Sequence, residues 1–120
     1  MKKLLLILML IISINCEAQK TYNIVGFKNE YTYPGADEGT FYPIPFKIFI
    51  TDSSFYSDGL KYKYTITKKV DSSYFKMSDG IKEYIVHIDK ILTPTKQDKK
   101  LKRTAYITIE VDNTMTTYYY

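Results

Sequence analysis

The chain has 120 residues, with one cysteine, one histidine, no tryptophan and 13 tyrosines, and its 17 basic and 13 acidic residues give a formal net charge of +4. A lone cysteine excludes an internal disulfide and a sulfur metal site, and one histidine is too few for the usual zinc sites. So mild a basic excess describes a solvated surface better than a nucleic-acid footprint.

The first residues read as a secretory signal peptide, with Lys2 and Lys3 as the charged region, Leu4 to Ile14 as the apolar region and Ala18 as the small residue before cleavage. The apolar run is far short of the roughly 20 residues a spanning helix needs. The expected organisation is therefore a signal peptide over 1–18 and a single domain over 19–120, exported to the periplasm or secreted, with no transmembrane segment after cleavage. Removing the leader leaves 15 basic and 12 acidic residues, a net of +3. Ser13-Ile14-Asn15-Cys16 resembles the lipobox of bacterial lipoproteins, although Asn15 stands where that pattern has a small residue. On that alternative Cys16 carries lipid and the protein is membrane-anchored. A domain of roughly 100 residues buries about 65% of its unfolded surface and needs no covalent staple.

Thr21 to Phe27 is rich in β-branched and aromatic residues and reads as a first strand. Lys28 to Pro45 carries Pro34-Gly35, Gly39, Pro43 and Pro45, punctuation too dense for a regular element; the segment reads as a proline-braced edge or a lid. From Phe46 the period is two. A phrase then occurs twice, DSSFYSDGLK from Asp52 and DSSYFKMSDGIK from Asp71. Asp-Gly between alternating segments signals a two-residue hairpin turn. A turn at Asp58-Gly59 pairs Phe55 with Tyr62 and Thr51 with Ile66. The apolar face then reverses near Asp52-Ser53, which calls for a β-bulge. A turn at Asp79-Gly80 pairs Phe75 with Tyr84 and Lys76 with Glu83.

In a third hairpin, matching apolar faces pairs Ile88 with Ile107, Val86 with Ile109 and Tyr84 with Val111. Its outer face sets Asp89 beside Tyr106, His87 beside Thr108 and Ile85 beside Glu110. Between its arms lies an exposed basic connection from Lys96 to Arg103. The closing NTMTTYYY reads as the aromatic end of an edge strand or a contact patch. A spanning barrel, with strands of about 9 to 11 residues and at least eight of them, would leave almost nothing for turns. No helical period follows the leader. The expected fold is all-β, an antiparallel up-and-down meander of about six or seven strands forming a small barrel or sandwich.

His87 shares a strand face with Glu83 and Asp89, the best acid–base cluster in the chain. No nucleophile turn accompanies it, so a hydrolase centred on His87 is the remote reading and no catalytic residue is assigned. Asp37-Glu38 lacks the alternating ligands of a calcium loop, and no metal or cofactor is expected. Tyrosine suits half-wet strands and binding surfaces alike. Tyr62, Tyr64, Phe75 and Tyr84 fall on the inner pattern and would line either a filled core or a cavity for an apolar or aromatic ligand. Lys96, Lys99, Lys100, Lys102 and Arg103 form a surface for lipid headgroups, phosphate or acidic glycans. The sequence thus describes a non-catalytic binding or envelope-associated module, with a small ligand carrier and a lipid-anchored lipoprotein as alternatives. Its partner is an unknown protein or a small apolar ligand.

Overall fold

The computed structural model describes residues 18–59 and 63–120, so residues 1–17 of the expected leader, Cys16 among them, and Tyr62 lie outside the described residues. The elements in order are β1 (Lys20–Ile24), β2 (Gly26–Tyr31), β3 (Phe41–Tyr42), β4 (Phe46–Ile50), β5 (Ser54–Ser57), β6 (Tyr64–Asp71), β7 (Tyr74–Ser78), β8 (Glu83–Lys90), helix α1 (Lys96–Lys100), β9 (Ala105–Val111) and β10 (Thr114–Tyr119). All the strands join one antiparallel sheet in the order β1-β4-β5-β6-β7-β8-β9-β10-β2-β3, curled into a half-barrel. β1 at one end of that order is covalently close to β2, the next-to-last strand at the other, because the two are separated only by Val25, whose N–H donates to the Tyr119 carbonyl (2.8 Å).

The fold is all-β as expected, but the described residues form ten strands, not six or seven. The anticipated first strand is two, broken where Gly26 lets another chain segment come close. A Cβ on Gly26 would lie 2.3 Å from the Phe41 ring and 2.5 Å from the Tyr42 carbonyl oxygen. The ring can yield, but the carbonyl belongs to the β2–β3 ladder. Gly26→Ala should therefore destabilise by about 1–3 kcal/mol, the usual cost of overpacking, read as a lower denaturation midpoint.

The bulge expected near Asp52-Ser53 is instead a full reversal. The Thr51 N–H donates to the Ser54 carbonyl (2.9 Å), the Thr51 hydroxyl accepts from the Ser54 N–H (3.0 Å), and Ile50 pairs with Phe55 across a β4–β5 hairpin. The two-residue turn at Asp58-Gly59 is also corrected. Asp58 stays bonded to β4, its N–H donating to the Lys47 carbonyl (3.2 Å) and its carboxylate accepting from the Lys47 N–H (3.1 Å). Phe55 consequently pairs with Tyr64, not Tyr62.

At the second Asp-Gly, Asp79 Oδ1 accepts from the N–H groups of both Ile81 and Lys82 (2.8 Å each). That Asx cap spreads the turn over four residues, so Phe75 pairs with Val86 and Met77 with Tyr84. The shift is by two, which preserves the faces. Lys76 and Glu83 still form an ion pair (3.5 Å), as diagonal neighbours. The third hairpin has the expected register, with Ile88 opposite Ile107, Val86 opposite Ile109 and His87 opposite Thr108.

Three further expectations change. The irregular stretch expected over 28–45 contracts to 32–40 and 43–45, since β2 runs to Tyr31 and Phe41–Tyr42 forms β3. The C-terminal aromatic segment is no edge, because β10 sits between β9 and β2. The basic connection contains α1, nucleated by a capping box in which the Thr95 hydroxyl accepts from the Asp98 N–H (3.1 Å) and Asp98 accepts from the Thr95 N–H (2.8 Å).

The core lies on the inner face. Ile24, Ile48, Phe55, Phe75, Met77, Val86 and Ile107 are all essentially inaccessible to solvent, the result of period-two apolar residues on strands that curl round them. The turns sort into two ends. At the base lie the 51–53 and 72–73 turns, the 91–104 connection and the start of β1. At the mouth lie Asp58-Gly59, the 79–82 and 112–113 turns and the 32–40 segment.

Candidate functional site

The inner face is not filled to the mouth. Between β2 and β10 on one side and β4 and β5 on the other lies a cleft of about 590 Å³. That is within the range of small-ligand sites, roughly 300–1,000 Å³. Its wall is an aromatic trio. Phe46 meets Tyr118 edge-on at 5.5 Å between ring centroids, Phe27 lies 6.0 Å from Tyr118, and Phe27 and Phe46 are 6.5 Å apart. Ile44 and Pro45 form one lip. Burial pushes the Tyr118 phenol up to about 12, so it remains a neutral donor throughout the physiological range.

Strand alternation places the trio. In β10 Tyr118 pairs with Phe27 of β2, while Thr116 pairs with Asn29 one step nearer the mouth. The Thr116 hydroxyl donates to Asn29 Oδ1 (2.7 Å), and among the described residues the Asn29 amide nitrogen has no acceptor. Across the cleft, Asp58 uses one carboxylate oxygen on the Lys47 N–H, and the buried Ser57 hydroxyl faces the same space. Apolar ring surface in the wall and a few polar atoms at the rim make a site for a ligand with a flat apolar body and a hydrogen-bonding edge.

The inner residues singled out from sequence stand elsewhere. Phe75 is a core residue, 1% exposed. Tyr64 and Tyr84 are half-buried and pack edge-on at 5.2 Å. The Tyr84 hydroxyl donates to Asp79 Oδ2 (2.8 Å), and that carboxylate raises the phenol to about 12. The cleft uses Phe27, Phe46 and Tyr118 instead. The sequence does not single out Phe27, because Gly26 obscures the break in the first strand, and it reads Tyr118 only as part of a terminal contact patch or edge strand, because the strand that β10 pairs with is distant in sequence.

His87 lies on the opposite face of the sheet, exposed, with its ring 6.0 Å from Tyr74. It borders a groove of about 550 Å³ that also takes in Tyr106, Thr108 and Glu110. Glu83 and Asp89, its expected partners, do not line that groove. Nearby, Lys28 pairs with Glu30 (2.7 Å); burial alone would lower the lysine pKa, but contact with Glu30 and Tyr119 outweighs it and holds the pKa above the usual value. Among the described residues no three His, Cys, Asp or Glu side chains gather as a metal-ligand set.

The basic group divides. Lys96, Lys99, Lys100 and Lys102 are exposed. Arg103 turns inward, pairing with Asp98 (2.6 Å) and stacking over Phe41 and Tyr119 at 5.0 and 4.7 Å. Among the described residues no helix is long and apolar enough to cross a membrane. Comparison with known proteins finds no match, whether among protein families, curated sequences or solved structures.

Proposed function

We propose that this chain is a non-catalytic binding module whose mouth cleft takes a small, largely apolar, ring-bearing ligand. The observation that carries this reading is the aromatic trio of Phe27, Phe46 and Tyr118 bounding about 590 Å³ of open space beside a packed core. A half-barrel this small has no structural need for an unfilled mouth, since apolar residues at Asn29, Ser57 and Thr116 would close it. The apolar leader supports an exported setting, periplasmic or secreted.

The test is to fill the cleft without disturbing the core. Thr116 is half-exposed and faces the opening, so Thr116→Phe occupies ligand space at little cost to folding. The wild-type protein should enhance the fluorescence of an anilinonaphthalene dye and release a non-covalent mass when denatured after recovery from its own cells. Thr116→Phe should lower dye affinity at least about tenfold, the effect of losing roughly 1.4 kcal/mol of contact. Equal dye binding by both proteins, with no released mass, would remove the cleft as the site.

A further inference from the structure

We propose that the base of the half-barrel is a docking surface for an anionic lipid bilayer, independent of what the mouth cleft binds. The first observation is a segregation of charge. Lys96, Lys99 and Lys100 fall at i, i+3 and i+4 of α1 and so share one helix face, and all three are exposed. The opposite side of the helix is fixed by the capping box and by the Asp98–Arg103 pair (2.6 Å). This internal pairing holds the lysine face outward. Lys90 and Lys102 flank it, and among the described residues none of these five lysines is in an ion pair.

The acids at this end are engaged elsewhere. Arg103 holds Asp98 and Lys69 holds Asp52 (3.2 Å), while Asp71 and Asp89 accept from the Ser73 and Lys90 N–H groups. At the mouth the lysines are paired instead, Lys28 with Glu38 (3.5 Å) and Lys82 with Asp112 (2.7 Å). A molecule whose unpaired lysines gather at one end orients in front of a negative surface.

The second observation is apolar. Leu92 is 90% exposed at the tip of the connection between Lys90 and Lys96, and Val70 is 66% exposed beside the neighbouring turn. What sets Leu92 apart from the equally exposed Ile81 is its setting: an aliphatic tip flanked by lysines suits the headgroup boundary, where lysines meet phosphates and the tip enters the acyl region. The third is topological. β1 begins at this end, Lys20 pairing with Ile50, and Ala18 borders the same hollow as Thr51 and Ser72. Residues 1–17 therefore join the fold at the base, so a retained or acylated leader would bring the lysine face to the bilayer.

The chain has no tryptophan, so Leu92→Trp places a unique reporter at the base. Ile81→Trp, at a residue equally exposed but at the mouth, is the matched control, and the leader is common to both full-length proteins. With phosphatidylcholine vesicles containing phosphatidylglycerol, the emission of Leu92→Trp should shift to the blue and that of Ile81→Trp should not. Added salt should reverse the shift, as expected for exposed charges screened over about 8 Å at physiological ionic strength. Replacing Lys96, Lys99, Lys100 and Lys102 by Gln in the Leu92→Trp chain should raise the lipid needed by roughly 600-fold, from about fivefold for each of the four lysines. An equal shift on neutral vesicles, a shift at both reporters, or an unchanged titration after the lysine replacements would each overturn the proposal. So would a response to dextran sulfate without one to vesicles, which would assign the face to an acidic polymer.

Discussion

Phe75→Ala should cost about 3–5 kcal/mol of folding free energy, the range for removing a fully buried aromatic side chain. Phe75 is 1% exposed, lies opposite Val86 on the neighbouring strand and belongs to the same buried cluster as Met77 and Ile107. Its loss leaves a void that a curled sheet collapses into poorly, because the ladder on either side fixes strand positions. Single domains are stable by about 5–15 kcal/mol, so this one substitution takes a large fraction of the total. Denaturant unfolding should show a lower midpoint with an unchanged slope. The same experiment separates a packed interior from a ligand chamber. Were Phe75 the wall of an open cavity, truncation would enlarge a space already present and cost less than about 1 kcal/mol. A loss that small would move the binding site from the mouth into the middle of the half-barrel.

The longest hairpin was legible in the sequence to the residue, because matching Val86 and Ile88 to Ile109 and Ile107 sets the longest apolar runs of both arms opposite one another. The shorter hairpins were legible in face but not in register, since a slip of two residues keeps every side chain on its own side. What decided the register was polar and local. Asp79 caps the N–H groups of Ile81 and Lys82, and Asp58 keeps to β4, so Asp-Gly does not act as a two-residue turn at either place.

The repeated phrase has a fuller meaning than its Asp-Gly. In the second copy Asp71 accepts from the N–H and hydroxyl of Ser73 (2.7 Å each), and in the first Thr51 performs the same service just ahead of Asp52. Each copy therefore encodes a turn, one short strand and another turn, and β5 and β7 are those strands. Reading Asp-Ser-Ser as a turn would have turned the parity reversal at Asp52-Ser53 into a chain reversal. The cleft was less legible, because it needs Phe27 beside Tyr118, residues 91 positions apart in sequence that only the β10–β2 pairing brings together. Helix α1 was announced by Thr95-Lys96-Gln97-Asp98, the spacing of a capping box, but five residues are too few to display a helical period.

Asp98→Ala should cost about 2–4 kcal/mol at neutral pH, combining a charge-assisted hydrogen bond to Arg103 with the loss of half the capping box. Both members of the pair are nearly enclosed, their side chains 11% and 12% exposed, and the Arg103 Nε is buried without a partner. Removing the carboxylate therefore strands a guanidinium already short of acceptors, the condition in which breaking an ion pair costs most. Replacing both residues, as Asp98→Leu with Arg103→Met, should recover much of the loss because neither charge is then left unpaired. The effect has a pH signature. Hydrogen bonding from the Thr95 N–H, opposed by burial and reinforced by Arg103, holds the Asp98 carboxyl below the ordinary carboxylate range. A depressed folded pKa means the contribution is fully present above the unfolded value of about 3.9 and is lost as pH falls through the folded one. Asp71 and Asp79 are also held low, so the wild-type acid limb sums several carboxylates, and the difference between wild type and Asp98→Ala isolates this one. That difference should be constant from neutral pH down to about 5 and should shrink below about 4. A difference that stayed flat into strong acid would mean that Asp98 acts by filling space, and that the lysine face of α1 is oriented by packing alone.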